Sequence, residues 1–216
     1  MEKTLLRNIR ALQGLKLHAT DGELGAVKEF YFDDEEWDIL YLVADTGGWL
    51  PGRRLLISPI ALGEADWVEQ RLEVMLTREE VEASPDIDLH RPITREQEVT
   101  YFGHFGWPCF WKGELRSASE VIGTQVEAEG GAVGNVEDLL VDEFWRIRYL
   151  MIVSEDRRIL VAPQWIKRAD WPRALLHLNL SREKTERSPE YDPSVPVSRE
   201  FEAQLYNHYG LTPYWS

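Results

Sequence analysis

The sequence predicts a mainly β protein with short helices, built as two tandem small β-barrels related by internal duplication. Three observations carry that expectation. An ordered self-similarity spans the chain, a two-residue apolar period runs within each half, and glycine-bearing turn signals separate the apolar runs.

The self-similarity comes first because it sets the frame for the rest. Gly14, Gly22, Gly25 and Val27 recur as Gly123, Gly131, Gly134 and Val136. After a one-residue deletion, Trp37, Ile39, Tyr41 and Leu42 recur as Trp145, Ile147, Tyr149 and Leu150. Arg53-Arg54-Leu55-Leu56-Ile57-Ser58-Pro59 matches Arg157-Arg158-Ile159-Leu160-Val161-Ala162-Pro163, and Ala65-Asp66-Trp67 matches Ala169-Asp170-Trp171. The tails agree too: Thr94-Arg95-Glu96 with Ser198-Arg199-Glu200, His104-Phe105-Gly106 with His208-Tyr209-Gly210, and the closing aromatic pairs Phe110-Trp111 and Tyr214-Trp215. This divides the chain into residues 1–111 and 112–216.

Within the first half, residues 15–19 read as a strand ended by Asp21-Gly22, a turn in which glycine accepts positive φ. Residues 27–32 form the second strand and 33–36 a polar turn. Trp37, Ile39, Tyr41 and Val43 then alternate with Asp38, Leu40, Leu42 and Ala44, the pattern of a strand buried on one face and partly on both. Residues 54–57 and 72–77 complete the set. The second half repeats it over 124–128, 133–141, 145–153, 159–161 and 175–180. Five or six short strands around one core predict a barrel whose edges close on themselves. Thr94 with Gln97 forms a capping-box pattern that opens a helix to about Gly103. Ser198 opens its counterpart, which stops at Gly210. Residues 84–92 and 188–196 are rich in Pro and charge and read as irregular, and 112–117 as a polar linker.

Composition narrows the function classes. With 44% hydrophobic and 29% charged residues the chain is globular rather than disordered. Its 24 Lys+Arg against 38 Asp+Glu give a net charge of −14, which repels phosphate backbones and argues against a nucleic-acid partner. One cysteine, Cys109, forms no internal disulfide and suits a reducing compartment. Early charge in Met1-Glu2-Lys3 and the lack of a long apolar run predict a soluble, cytoplasmic protein without membrane insertion.

Gly14-Leu15-Lys16-Leu17, Asp21-Gly22-Glu23-Leu24-Gly25-Ala26-Val27, Phe30-Tyr31-Phe32-Asp33-Asp34, Trp37, Tyr41-Leu42-Val43 and Ile57-Ser58-Pro59 together resemble the PRC-barrel domain. That family is known from the cytoplasmic part of the photosynthetic reaction centre H subunit and from the end of ribosome maturation factors of the RimM type. The resemblance extends over both halves, which makes the expected fold two tandem PRC-type barrels. It implies six-stranded barrels that bind proteins without catalysis. The membrane helix of H subunits and the preceding barrel of the ribosomal factors have no counterpart here, so the chain resembles a stand-alone tandem form.

Candidate chemistry is sparse. Asp33, Asp34, Glu35, Glu36 and Asp38 cluster in one turn without the Asp-x-Asp-x-Asp-Gly pattern of a calcium loop, and read as a solvated turn rather than a metal site. His18, His90, His104, His177 and His208 show no ligand spacing; His104 and His208 sit where an imidazole faces the carbonyls of a helix end. Ser58 and Cys109 have no nucleophile context, and Gly22–Gly25 and Gly130-Gly131 lie in hairpin turns without a following helix to bind phosphate. No cofactor is implied. Trp37 with Trp145, Trp67 with Trp171 and Trp111 with Trp215 repeat and read as core, and the aromatic tails as packing on the neighbouring half.

The asymmetries between the copies are more informative. The first half inserts a longer loop, Asp45-Thr46-Gly47-Gly48-Trp49-Leu50-Pro51-Gly52, ahead of Arg53-Arg54. The second half has only Ser154-Glu155-Asp156 before Arg157-Arg158. Aromatic and arginine side chains are favoured at protein-binding hot spots, so Trp49, Leu50, Arg53, Arg54, Arg157 and Arg158 are the candidate contact residues. Alternatively Trp49 covers the open end of its own barrel, and the arginines solvate a strand start or bridge acidic turns. The expected function is a non-enzymatic cytoplasmic adaptor with a protein partner, docked peripherally on a membrane complex of the photosynthetic type. It would act as a monomer that imitates a twofold pair, or as a homodimer. The alternatives are a ribosome-associated assembly factor that binds a basic ribosomal protein, and a ligand- or metal-binding protein.

Overall fold

The architecture follows from a computed structural model, which describes residues 6–47, 50, 54–85, 93–108, 112–155 and 157–216, with Arg54 described in its backbone only. The chain runs β1 (Arg7–Asn8), α1 (Ile9–Leu12), β2 (Lys16–Ala19), β3 (Gly22–Asp33), β4 (Ile39–Asp45), β5 (Arg54–Ile57), β6 (Leu62–Asp66), β7 (Arg71–Val74), α2 (Arg78–Glu82) and α3 (Arg95–Phe105). It then repeats the series as β8 (Leu115–Ser117), α4 (Ala118–Val121), β9 (Gln125–Glu129), β10 (Gly131–Val141), β11 (Ile147–Ser154), β12 (Arg157–Val161), β13 (Ile166–Asp170), β14 (Leu175–Ser181), α5 (Arg182–Glu186) and α6 (Arg199–Tyr209). The duplication read from sequence is a duplication of structure.

Two compact units result, Ala11–Ser117 and Met1–Arg10 with Ala118–Ser216. In the first, strands stand in the order β5-β4-β3-β2-β7-β6. In the second, the order β12-β11-β10-β9-β14-β13 is the same. All pairings are antiparallel except β2 with β7 and β9 with β14. The sequence repeat breaks at 111/112, whereas the compact units meet at 117/118 and 10/11.

The reason is an exchange of lead-in strands. β8, which precedes the second repeat, pairs with β3 of the first unit through Tyr31↔Ser117, Phe32↔Arg116 and Asp33↔Leu115. β1, which precedes the first repeat, pairs with β10 of the second through Arg7↔Val141 and Asn8↔Leu140. Each sheet therefore takes its seventh strand from the segment that leads into the other repeat. Residues 112–117, expected as a linker, are in part a strand.

Each core is built by the period-two positions. Leu17, Leu24, Phe30, Phe32, Tyr41 and Leu42 are essentially inaccessible in the first unit, as are Val126, Leu139, Leu140, Tyr149, Leu160 and Leu176 in the second. Full burial of such a side chain is worth about 1.5–3 kcal/mol. Gly25 and Gly134 lie inside β3 and β10 rather than in the hairpin turn expected of the first. A Cβ there would stand 2.0 Å from the Asp45 carbonyl oxygen or 2.3 Å from that of Val153, and both residues have positive φ. Only glycine permits the neighbouring strand to come so close.

Other differences from expectation have local causes. β7 ends at Val74 instead of running to residue 77, because Thr77 caps α2. Its hydroxyl accepts from Glu80 N at 3.1 Å, and the Glu80 carboxylate accepts from Thr77 N at 2.7 Å. β6 and β13, Leu-Gly-Glu-Ala-Asp and Ile-Lys-Arg-Ala-Asp, carry too little apolar alternation to be read as strands. Nor do the ladders close: among the described residues β5 is not bonded to β6, nor β12 to β13. One-turn 3-10 helices, Pro59–Ala61 and Pro163–Trp165, join those ends instead. Of the repeated tryptophans, Trp37 is buried, Trp145 and Trp171 are half-buried, and Trp67 is 37% exposed, so repetition does not mean burial throughout.

Candidate interaction surface

The insertion loop of the first half begins at the end of β4. Buried Thr46 donates its hydroxyl to the Leu50 carbonyl at 2.8 Å, and Gly47 N donates to the Asp45 carboxylate at 3.1 Å, which together fold the chain back on itself. Leu50 is half-buried. Trp49 and Arg53 lie outside the described residues, as does the side chain of Arg54. Beside the loop is an open groove of about 920 Å³ floored by Gly25, Ala26 and Val27 and edged by Lys28, Asp45 and Arg78.

The second half's arginines bond within their own unit at its surface. Arg158 grips Glu137 with two bonds, 2.6 and 2.9 Å, and this pairing holds the carboxyl of Glu137 below its usual range. Arg157 donates to the Ser188 carbonyl at 2.9 Å and to that of Glu186, and lies 3.6 Å from Glu190. These contacts strap the segment after α5 to the start of β12. At the position of Glu137 the first half carries Lys28, so the counterpart of the Arg158 pair is two cations, Lys28 and Arg54.

The acidic turn is a bracket for the exchanged strand. Asp33, 2% exposed, accepts from four backbone N–H groups: Glu35 at 2.8 Å, Glu36 at 3.0 Å, Lys112 at 2.6 Å and Gly113 at 3.0 Å. Burial alone would raise its pKa, but these bonds outweigh it and hold the carboxyl below the ordinary range. Asp34 accepts from Glu114 N at 2.8 Å and from Arg116 Nε at 3.2 Å. A Cβ on Gly113 would sit 2.5 Å from the Asp34 carboxylate, so glycine lets the strand cross the turn. Among the described residues no three acidic, His or Cys groups converge as a metal site would require. Asp142 repeats the bracket with Phe144 N at 2.9 Å and Arg146 N at 3.0 Å, but its second oxygen takes Arg148 Nε at 2.6 Å.

The C-terminal helix of each half carries a buried carboxylate that the sequence does not single out. Glu202 on α6 accepts from the Tyr149 hydroxyl at 2.9 Å and the Tyr214 hydroxyl at 3.0 Å, and pairs with Arg199 at 2.9 Å. Arg148 stacks on the Tyr214 ring at 4.1 Å and Arg199 on Trp215 at 4.2 Å. Burial is the largest influence on the Glu202 carboxyl and holds it above its ordinary range although these hydroxyls and guanidinium groups act to lower it, and burial pushes the Tyr214 phenol up to about 12. The tail Tyr214-Trp215 thus packs on α6 and β11 of its own unit. In the first half Trp107 packs on Phe105 at 4.3 Å and on Phe102, while Phe110-Trp111, the counterpart of Tyr214-Trp215, lies outside the described residues. His208 bonds the Lys184 carbonyl at 2.7 Å, the helix-carbonyl role expected of it, though the helix is α5 rather than its own.

Glu98 on α3 is the first-half counterpart of Glu202. It is 3% exposed, and its Oε1 has no hydrogen-bond partner among the described residues. Burial raises its carboxyl to about 7. The glutamate spacing after each helix cap, Thr94 to Glu98 and Ser198 to Glu202, is visible in the repeat. Its burial is not, because a glutamate on a short helix ordinarily faces water.

Comparison with known families finds the PRC-barrel domain over residues 7–81, from β1 to the fourth residue of α2. No curated protein matches the chain. The matched stretch contains nearly all of the first repeat's strands and its groove. β1 alone of these strands is built into the second unit's sheet.

Proposed function

We propose that this protein is a non-enzymatic adaptor made of two PRC-type barrels, the second extending the first by duplication, and that it binds another protein in the cytoplasm. The observation that carries the reading is the PRC-barrel match over residues 7–81, since this module occurs in adaptor and assembly proteins. The equal strand order of the two sheets supports a PRC-type assignment for the second unit. The asymmetry between the halves nominates the contact surface. Arg157 and Arg158 are engaged within their own unit, whereas Lys28 replaces the carboxylate that would neutralise Arg54, beside a loop that adds Trp49 and Leu50. Tryptophan and arginine are among the residue types enriched at hot spots. We read the partner as a membrane-associated complex approached from its cytoplasmic side, with no nucleic acid and no cofactor involved. No helix among the described residues is long and apolar enough to cross a membrane.

A second reading, an assembly factor for a basic ribosomal protein, is favoured by the net charge of −14, which steers a cationic partner. Crosslinking pull-downs from native lysate, separated into membrane and ribosome fractions, test both. Wild type is compared with Trp49→Ala and with Arg53→Glu/Arg54→Glu. One complex enriched by wild type and lost with both variants, while circular dichroism stays unchanged, supports the adaptor and names its class. A complex retained by both variants removes the loop from the interface. If Trp49→Ala unfolds the first unit, the tryptophan covers its own barrel.

A further inference from the structure

We propose that Glu98 is a proton-operated latch on the docking of α3 against β4 and β5 of the first unit. The apolar part of that dock is Tyr101 and Phe102 of α3 on Tyr41, Val43 and Leu56, flanked by Leu40, Phe105, Trp107 and Leu115. Tyr101 adds a hydroxyl bond to the Leu56 carbonyl. Glu98 lies one turn before Tyr101 on the same helix, buried, with one carboxylate oxygen unsatisfied among the described residues.

The second unit shows what a completed version of this arrangement contains. There the same carboxylate receives two hydroxyls and a guanidinium, with a second guanidinium close by. Position by position, the first half keeps Tyr41 for Tyr149 and Arg95 for Arg199. It carries Phe110 for Tyr214, which removes a hydroxyl, and Leu40 for Arg148, which removes a cation. The first half therefore shares the buried acid and lacks half of the groups that make its charge tolerable in the second. A buried carboxylate short of donors is comfortable only when it carries its proton.

The charged and titratable groups facing Glu98 are few. On α3 itself Arg95 favours its charge; from β4 the Tyr41 hydroxyl favours it; from the β3–β4 turn Asp33 opposes it. β5 contributes the Leu56 carbonyl to Tyr101. Desolvation is the largest influence, and it places the ionisation close to neutrality, at about 7. Below that the dock holds a neutral acid. Above it the dock holds an anion that undocking α3 would hydrate, and the uncovered surface is the Tyr41, Val43 and Leu56 face of the sheet.

Hydrogen exchange of the full chain at pH 6 and pH 8, corrected for intrinsic exchange chemistry, tests the latch. If undocking returns Glu98 to its ordinary value of 4.5, the opening constant of α3 rises about tenfold between those two pH values. The amides of residues 99–105 should lose protection by that factor, while residues 203–209 of α6 serve as an internal control and change much less. Glu98→Gln should abolish the dependence and keep α3 protected at pH 8. Equal protection of wild-type α3 at both pH values, or the same loss in Glu98→Gln, would overturn the latch. Should Glu98→Gln fail to fold, a carboxyl carbon NMR titration of the wild type decides. A Glu98 midpoint near 7 supports the latch, and one near 4.5 ends it.

Discussion

The two halves of this chain share strand order, caps, glycines and a buried helix glutamate, yet they finish that glutamate differently. In the second half Glu202 is enclosed by Tyr149, Tyr214 and Arg199. In the first half Glu98 is buried, with Arg95 and the Tyr41 hydroxyl favouring its charge and one of its oxygens unpartnered among the described residues. Arg158 repeats the lesson on the surface: its Glu137 has become Lys28 in the first copy. The two copies share the backbone-determining residues and differ in the charge-compensating ones. The second unit supplies donors to both oxygens of its helix glutamate, and the first leaves one oxygen of its own unpartnered among the described residues.

The largest effect should fall where the halves are alike. Gly25→Ala and Gly134→Ala each drive a Cβ into a strand carbonyl at a residue of positive φ. Each should cost about 3 kcal/mol or more of its own unit's stability, read by urea unfolding with hydrogen exchange to assign the unit. A severe loss at one and a mild loss at the other would show that the two barrels are not built on the same close approach.

Next in size comes the direct contrast. Glu202→Gln strands Arg199 against a neutral amide in a buried site and should cost about 2–3 kcal/mol. Glu98→Gln removes a buried charge with one oxygen unpartnered among the described residues, and at pH 8 should leave stability unchanged or raise it. Denaturation midpoints of the two variants at pH 8 should move in different directions. Parallel losses would mean that Glu98 has donors equal to those of Glu202, and the comparison between the halves would fail at its main point.

Residue type and spacing alone carry much of this contrast, and the remainder escapes them for identifiable reasons. The repeat, the core strands and the caps at Thr94 and Ser198 follow from residue type at fixed spacing, which sequence displays directly. The strand exchange does not. Leu115-Arg116-Ser117 is a short polar-apolar run, and its pairing with β3 is decided by Asp33 and Asp34 reaching across some eighty positions to Lys112, Gly113 and Glu114. The acidic turn lacks the pattern of a calcium loop in sequence, but its role as a bracket depends on those distant N–H groups. Glu98 and Glu202 are visible as a repeated pair, yet nothing local distinguishes a buried helix glutamate from a solvated one. At α2 two legible signals compete. Thr77 and Glu80 form the same capping box that identifies α3, while the apolar alternation of Leu72, Val74 and Leu76 suggests a strand running up to it, and the cap prevails.

The pH response sharpens the comparison with a signed expectation. Glu98 has a folded-state value raised from 4.5 to about 7, so its folded state binds the proton more tightly. Its contribution to stability is greatest below about pH 4.5, declines as the pH rises toward 7, and is level above that. Asp33 has the opposite sign: its value is lowered, so its contribution is present above about pH 4 and is lost as the pH falls further. The first unit should therefore be most stable in mildly acidic solution, between these two transitions. Unfolding followed from pH 3 to pH 9 should show that maximum in wild type. In Glu98→Gln the alkaline side should flatten, while the acid side, set by Asp33, should remain.

The smallest effect separates a structural arginine from a contact arginine. Arg158 makes a two-bond pair with Glu137, with both side chains partly in water, so Arg158→Ala should lower second-unit stability only slightly. Arg54→Ala should cost the first unit close to nothing, because its repeat-equivalent acid is Lys28 and no charge pair of that origin is lost. The readouts should cross over. Arg158→Ala lowers the unfolding midpoint slightly and leaves partner capture intact, whereas Arg54→Ala leaves the midpoint intact and weakens capture. If Arg54→Ala destabilises the first unit as much as Arg158→Ala destabilises the second, Arg54 has found a structural partner of its own, and the candidate surface loses its guanidinium.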